Sequence, residues 1–103
     1  MRAAPVFAAL GDRTRLGLLI RLCRSGPQST ARLANHVSIS RQAVTKHLVA
    51  LEKAEVIQSS RAGRERVWTV QQKRLEEVNA YIRQISSDWD AALNRLRAMV
   101  ETE

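Results

Sequence analysis

Residues 40–47 carry the side chains whose types and spacing best suit chemical recognition. The segment reads Ser-Arg-Gln-Ala-Val-Thr-Lys-His. On a helix that starts at Arg41, the first turn also holds Gln42, and Thr45 and Lys46 follow one turn later. Arginine can donate two hydrogen bonds to a guanine edge, and glutamine pairs in a similar way with adenine. The predicted chemistry is the reading of base edges in double-stranded DNA.

A second group of basic residues lies at Arg61, Arg64 and Arg66. The segment 61–65 contains a glycine and predicts a turn with a basic tip. Such a tip lies along the phosphate backbone or enters the minor groove, where the negative potential favours arginine. Residues 41–66 hold six of the 17 Lys and Arg of the chain. The predicted DNA-binding residues are Ser40, Arg41, Gln42, Thr45, Lys46, His47, Arg61, Arg64 and Arg66.

The overall charge agrees with a polyanionic partner. Seventeen Lys and Arg against ten Asp and Glu give a formal charge of +7 and a pI near 11.0, which suits nucleic acid or an anionic membrane. No stretch approaches the roughly 20 apolar residues of a membrane span. The apolar run near the N-terminus is too short for a signal peptide. We therefore expect a cytoplasmic protein with no membrane partner.

The remaining candidate residues predict no catalysis, no metal site and no cofactor. Cys23 is the single cysteine, which excludes an intramolecular disulfide and a multi-cysteine metal site. It is expected to be a buried structural cysteine, with a redox switch as the alternative. His36 and His47 are isolated, and the chain has no glycine-rich phosphate loop and no acid–base pair beside a nucleophile. An enzyme is not expected.

Four predicted helices position the first group of recognition residues. Pro5 and Gly11 bound a short first helix, and Asp12 caps a second that ends at residues 25–27. The predicted core face of this second helix consists of Leu16, Leu19, Ile20 and Cys23.

A pair of helices joined by a tight turn comes next. Ser29 is expected to cap a helix over residues 30–36. After a turn at residues 37–39, Ser40 caps a helix over residues 41–54. The apolar stripe of this last helix, which fixes the side turned away from the recognition residues, is Val44, Leu48 and Leu51.

Two β-strands and one long helix complete the chain. Residues 56–60 and 66–70 are rich in β-branched residues and predict a hairpin, with Trp68 as its anchor to the core. Residues 71–102 contain no Gly or Pro and predict one helix. Its apolar residues recur in steps of three and four, as in a heptad repeat: Leu75, Val78, Ile82, Ile85, Trp89, Ala92, Leu96 and Met99.

The apolar stripe of the long helix predicts a homodimer. Residues 75–85 could pack partly on their own core, but from Trp89 onward the stripe would leave an exposed apolar patch in a monomer. We expect a second copy of the chain to cover this patch. The dimer would place two DNA-reading helices about 34 Å apart on successive major grooves. The predicted dimerisation residues are Phe7, Leu10, Ile82, Ile85, Trp89, Leu93, Leu96 and Val100.

These elements predict a single winged helix-turn-helix domain over residues 1–103. The fold is mostly α with a small β-hairpin, in the order α-α-α-α-β-β-α. Residues 30–54 form the helix-turn-helix, residues 56–70 the wing, and residues 71–102 the C-terminal dimerisation helix. In such a fold the first helix of the pair braces the second, which enters the major groove.

Two segments resemble a known family. Phe-Ala-Ala-Leu-Gly-Asp-Arg-Thr-Arg-Leu at residues 7–16 is similar to the opening of ArsR/SmtB-type bacterial repressors, and residues 39–57, from Ile-Ser-Arg-Gln to Glu-Val-Ile, resemble their recognition helix and the approach to the wing. The resemblance implies a dimer built from the first and last helices, and repression near the protein's own promoter with release on a signal. It also places Arg41, Gln42 and Thr45, with Lys46, at base-contacting positions.

One departure from the family pattern concerns metal sensing. Many members carry a Cys-x-Cys pair where residues 28–33 read Gln-Ser-Thr-Ala-Arg-Leu. Others use Asp and His pairs on the last helix, which has no His here, so a tight transition-metal site is not expected. The chain resembles a member without the metal-sensing motifs, and its signal could be a small molecule or a redox change. The expected function is sequence-specific binding of double-stranded DNA by a dimeric transcriptional repressor; the alternative is a protein-interaction module.

Overall fold

Local sequence signals set the ends of the first two helices. The computed structural model describes residues 3–102. Helix α1 spans Ala4–Leu10 and helix α2 spans Arg13–Ser25. The Asp12 carboxylate accepts a hydrogen bond from the Arg15 backbone N–H at 3.0 Å, which satisfies a donor that the start of a helix otherwise leaves unpaired. The predicted cap of the second helix is confirmed.

Two serines begin the next two helices in the same way. Ser29 Oγ accepts from the backbone N–H three residues ahead, at 3.2 Å, and α3 spans Thr30–Ala34. Ser40 Oγ does so at 3.1 Å, and α4 spans Arg41–Lys53. Both predicted caps are confirmed. Helix α3 stops short of the predicted residue 36 because the backbone beyond it tightens into hydrogen bonds that span three residues rather than four.

A three-stranded antiparallel sheet lies beside the helices. Its strands are β1, Gln28–Ser29, β2, Ile57–Ala62, and β3, Glu65–Val70, in the spatial order β1-β3-β2. The sequence predicted only the two long strands, so the observed order is α-α-β-α-α-β-β-α. Strand β1 was missed because two residues carry no periodic signal, and only its pairing with β3 defines it.

The hairpin between β2 and β3 turns over residues 63–64 alone, because Ala62 and Glu65 are register partners. Gly63 has a φ of 65°, which a glycine adopts without steric strain and which two-residue hairpin turns favour. The longer turn predicted for this hairpin is wrong, because the ladder continues to the residues on either side of the two-residue turn.

The hydrophobic core lies between the helices and the sheet. Trp68 is its largest fully buried side chain, and its Nε1 donates a hydrogen bond to Thr30 Oγ1 at 2.9 Å. The prediction that Trp68 anchors the wing to the core is confirmed. The predicted apolar stripe of α4 is confirmed as well, since it is fully buried: Val44, Leu48 and Leu51.

The predicted core face of α2 is wrong in three of its four residues. Leu19 is buried, but Leu16 and Ile20 are about 40% and 41% exposed, and Cys23 is exposed rather than a buried structural cysteine. The residues that do face the core are Leu18, Leu19 and Leu22. Apolar residues surround much of this helix, so helical spacing alone allowed two overlapping stripes that share Leu19, and packing against α1, α4 and β3 selects the other one.

Helix α5 spans Gln72–Glu101, so its 30 residues extend for about 45 Å. Among its residues only Val78 is buried, and Leu75 packs at the edge of the core. The radius of gyration is 18.3 Å and the longest dimension 68 Å, against about 13 Å expected for the radius of gyration of a compact chain of this size. The distal half of α5 therefore projects from the body. No helix within residues 3–102 is long and apolar enough to cross a bilayer.

Candidate nucleic-acid interface

The first two turns of α4 present polar side chains to solvent. Arg41, Gln42 and Lys46 are exposed, while Val44 is fully buried on the opposite side of the helix. Burial of Val44 fixes the rotation of α4 about its axis, because residues three and four apart share a face. The helix therefore offers guanidinium, amide and ammonium donors on one accessible surface.

Two polar residues of this segment are occupied within the helix. Ser40 Oγ is the cap acceptor for α4. Thr45 Oγ1 donates to the backbone carbonyl of Arg41 at 3.0 Å, so its hydroxyl hydrogen is engaged while its lone pairs stay available as acceptors. Both predicted residues lie at the N-terminal end of α4; the Ser40 hydroxyl keeps its own hydrogen to donate, whereas the hydroxyl hydrogen of Thr45 is engaged.

His47 lies on the side of α4 that faces the start of α2. Its Nδ1 is 4.0 Å from Asp12 Oδ1. The Arg15 backbone N–H contributes most to lowering the pKa of the Asp12 carboxyl below its ordinary value; desolvation opposes the shift, and the charges of Arg15 and His47 reinforce it. His47 is half-buried, so its contact links α4 to the cap of α2.

The wing presents two free cations and one that is engaged. Arg61 and Arg64 are exposed. Arg66 is the register partner of Arg61 on β3, but its Nη2 donates to Glu52 Oε1 at 3.2 Å and its guanidinium carbon lies 4.3 Å from the centroid of the Trp68 ring. The predicted DNA-binding arginines of the wing therefore differ in environment.

Glu52 is a residue that the sequence analysis did not single out. Its second carboxylate oxygen accepts a hydrogen bond from Ser59 Oγ at 2.8 Å, so one carboxylate at the end of α4 holds both strands of the hairpin. The signal available in the sequence was the position of this acidic residue between the basic residues at 41–46 and those at 61–66. Pairing across the fold depends on the strand register, which the sequence did not specify.

The predicted dimerisation residues lie on α1 and along α5. Leu10 and Leu93 are partly buried. The rings of Phe7 and Tyr81 contact each other at 6.1 Å between centroids, so α1 lies against α5 within one chain. The other predicted members are exposed, with between 45% and 65% of each side chain accessible: Ile82, Ile85, Trp89, Leu96 and Val100. Tyr81, which the sequence analysis did not single out, is also exposed beside Phe7.

The titratable residues outside these surfaces do not form a metal site. Within residues 3–102 no three His, Cys, Asp or Glu side chains come close enough to hold an ion. His36 Nε2 is 2.6 Å from Arg21 Nη2 on the exposed side of α2. This contact joins the turn after α3 to α2.

Comparisons with known proteins agree with this geometry. Residues 10–59 match the family described as a helix-turn-helix domain. An HTH-type transcriptional regulator of Mycobacterium tuberculosis is 30% identical over 97 residues, which cover 94% of this chain and 87% of that protein. The transcriptional repressor SdpR of Bacillus subtilis is 38% identical over 58 residues, 56% of this chain and 63% of that one. A solved structure of an ArsR-like transcriptional regulator from Rhodococcus matches with a TM-score of 0.79 and 35% identity, over 94% of this chain and 91% of that chain.

Proposed function

The chain belongs to the ArsR family of helix-turn-helix transcriptional regulators, and from this membership we propose that it acts as a homodimeric repressor that grips its operator through α4 and the wing. DNA binding and regulation of transcription are properties of the family. The resemblance and the winged helix-turn-helix fold expected from the sequence are confirmed. Which residues contact DNA, the dimer and the direction of regulation belong to the proposal.

The observation that carries the proposal is a set of uncommitted donors on two neighbouring elements. They are exposed, and within the described part of the chain none of their side chains makes a hydrogen bond or ion pair: Arg41, Gln42, Lys46, Arg61 and Arg64. Side chains that are solvated in the free protein can exchange water for base edges and phosphates without breaking an internal contact. By contrast, Glu52, the single acidic residue of α4, is held by Ser59 and Arg66.

The role that we propose for each residue of α4 and the wing follows from its position on those elements. Arg41 and Gln42, in the first turn of α4, contact base edges in the major groove, and Lys46 contacts bases or phosphate one turn later. Arg61 and Arg64 follow the backbone or the minor groove. Arg66 acts indirectly, because its bond to Glu52 fixes the angle between the wing and α4. Ser40 and Thr45 hold the start of α4 in shape.

The dimer is supported by the apolar side chains that one chain leaves in solvent. From Ile82 onward, the apolar residues that α5 exposes are between 45% and 68% accessible: Ile82, Ile85, Trp89, Leu96, Met99 and Val100. Exposed apolar surface on this scale marks an interaction site in a soluble protein, and the heptad spacing suits a second helix of the same kind. A two-fold pair would present two α4 helices to one face of DNA.

Repression is supported by the similarity to a protein named as a transcriptional repressor. A dimer bound over a promoter excludes polymerase by occupying the same duplex, and it needs no further chemistry to do so. We place the protein in the cytoplasm, where a transcriptional regulator of this kind would meet its operator.

The direct experiment is selection of duplexes from a random pool by the purified protein, followed by titration of the selected sequence. We expect a two-fold symmetric site with half-site centres about 10–10.5 base pairs apart and an affinity that falls steeply with salt. Recovery of no sequence, with no salt-dependent binding, would contradict the proposal and favour a protein-interaction module. A site with one half only would contradict the dimer while leaving DNA recognition intact.

A further inference from the structure

A groove of about 750 Å³ opens between the end of α2, the end of β3 and the first turns of α5. Its volume falls within the range of small-molecule sites, about 300–1,000 Å³. The groove lies away from the exposed donors of α4 and the wing tip. The residues that line it are Leu22, Cys23, Gly26, Pro27, Thr69, Val70, Gln72, Leu75, Glu76 and Asn79.

The groove has an apolar floor and a polar edge. Leu22 belongs to the buried core, and Val70 and Leu75 pack against that core while remaining accessible from the groove. Glu76 and Asn79 lie three residues apart on α5 and therefore share one face of the helix. A ligand with an apolar body and one polar end fits this arrangement, because small-molecule sites combine apolar walls with a few placed polar groups.

The charge of the groove is opposite to that of the protein. None of its lining residues is basic, and Glu76 is the only carboxylate among them, although the whole chain carries +7. Within the described residues the side chain of Glu76 makes no hydrogen bond or ion pair. The nearest basic residues along α5, Arg74 and Lys73, line a different cavity together with Glu77, to which Arg74 donates a hydrogen bond. A ligand carboxylate or phosphate would meet an uncompensated negative charge here, whereas a cation would neutralise it.

We propose that this groove binds a small organic cation, with an apolar alkyl or aromatic body against Leu22, Val70 and Leu75 and an ammonium head at the carboxylate of Glu76. Asn79 and Gln72 accept further hydrogen bonds from the ammonium through their amide oxygens. The proposal does not rest on the proposed repressor function. Cys23 forms part of the wall and takes no chemical role, but as the single cysteine it reports occupancy of this groove and of no other.

Three ligands with one body and different heads test the proposal: phenylbutylamine, which is protonated at neutral pH, phenylbutanol and phenylbutyrate. Their affinities for the full chain are measured by titration calorimetry. In parallel, alkylation of Cys23 by iodoacetamide, a neutral reagent, is followed by intact mass. We expect the amine to bind roughly three- to tenfold more tightly than the alcohol, with the carboxylate weakest, and bound amine to slow alkylation several-fold.

The variant Glu76→Gln removes the charge and keeps the size of the side chain, so the amine should bind no better than the alcohol. Glu101→Gln, the same change at the far end of α5, is the matched control and should leave the preference intact. Equal affinities for the three ligands, an unchanged preference in Glu76→Gln, or binding without protection of Cys23 would each overturn the proposal.

Discussion

Arg66 and Glu52 join the wing to the helix proposed to read DNA. The guanidinium donates to the carboxylate at 3.2 Å and lies over the Trp68 ring, which is itself bonded to Thr30 at the start of α3. One arginine therefore ties β3 to α4 on one side and stacks over the core tryptophan on the other. Its charge is matched inside the protein, whereas the charges of Arg61 and Arg64 are free to meet phosphate.

This relationship predicts different behaviour for two arginines of one hairpin. Arg64→Ala should weaken binding to all sequences alike and reduce the slope of log affinity against log salt by about 1. Arg66→Ala should instead leave the slope near that of the wild type and lower the free energy of unfolding by about 1 kcal/mol. Fluorescence anisotropy at several salt concentrations and urea denaturation measure the two quantities. Equal loss of slope in both variants would show that Arg66 contacts phosphate.

Arg41 in the first turn of α4 should carry base discrimination. Arg41→Ala should cost about 1–3 kcal/mol against the selected operator and relax the base preference at one position of each half-site. Arg24→Ala, an exposed arginine on α2, is the control for the loss of one positive charge. Repeating the duplex selection with Arg41→Ala decides the matter: an unchanged consensus sequence would rule out a base contact by this residue.

Variants of Ser40 can distinguish the effect of the α4 N-cap on stability from the effect of charge at the start of α4 on DNA binding. Ser40→Ala removes the cap acceptor and should lower the free energy of unfolding by about 1 kcal/mol. Ser40→Asp restores a cap and should recover stability, but it sets a negative charge beside Arg41 where DNA approaches. We expect this variant to fold normally and to bind the operator poorly. If Ser40→Asp binds DNA as well as the wild type, the start of α4 does not face the duplex.

Asp12 predicts a pH dependence of stability. Its pKa is lowered in the folded protein, chiefly by the Arg15 backbone N–H, so the carboxylate stabilises the fold above its ordinary pKa of 3.8. That contribution is lost as the pH falls through the lower pKa of the folded state. Unfolding of the wild type and of Asp12→Asn should therefore be compared between about pH 7 and pH 2.5. The wild type should lose its advantage over the variant in the acid range, and a constant difference would contradict the assignment.

Trp89 tests the proposed dimer. Trp89→Glu places a charge in the exposed apolar stripe of α5 and should raise the dissociation constant of the dimer at least tenfold, with loss of operator affinity at low protein concentration. Because Trp89 is about 63% exposed in the single chain, the fold of each copy should survive. Ser87→Glu, nearly half a helical turn away, is the matched control. Sedimentation equilibrium measures the association, and a dimer unaffected by Trp89→Glu would move the interface elsewhere.

The caps and the apolar stripe of α4 could be predicted from sequence because each depends on a few neighbouring residues. The caps formed by Ser29 and Ser40 require only a backbone N–H three residues ahead. The burial of Trp68 could be predicted from its position in an apolar strand. The face of α2 could not be predicted, since Leu18 and Leu22 compete with Leu16 and Ile20 at equal spacing. The choice is made by neighbouring elements that come from distant parts of the chain.

The sequence indicated which elements carry the candidate interface residues, but not the contacts that those residues make within the chain. Arg61, Arg64 and Arg66 have the same residue type and adjacent positions, so the sequence treated them alike. The strand register gives Arg66 a carboxylate and an aromatic face, while the turn over residues 63–64 leaves Arg64 in solvent. Strand β1 was missed for a related reason, because its only definition is its partner across the sheet.

Strand β1 has a mechanical consequence. Ser29 pairs with Val67 in the sheet and, through its hydroxyl, also caps α3. The wing and the helix that braces α4 therefore share a residue, and neither can tilt without straining the other. The parts of one copy that we propose contact DNA are thus joined as one rigid unit. In the proposed dimer, a signal that releases the operator would then have to change the distance or angle between two such units, and the long α5 helix is the element that connects them.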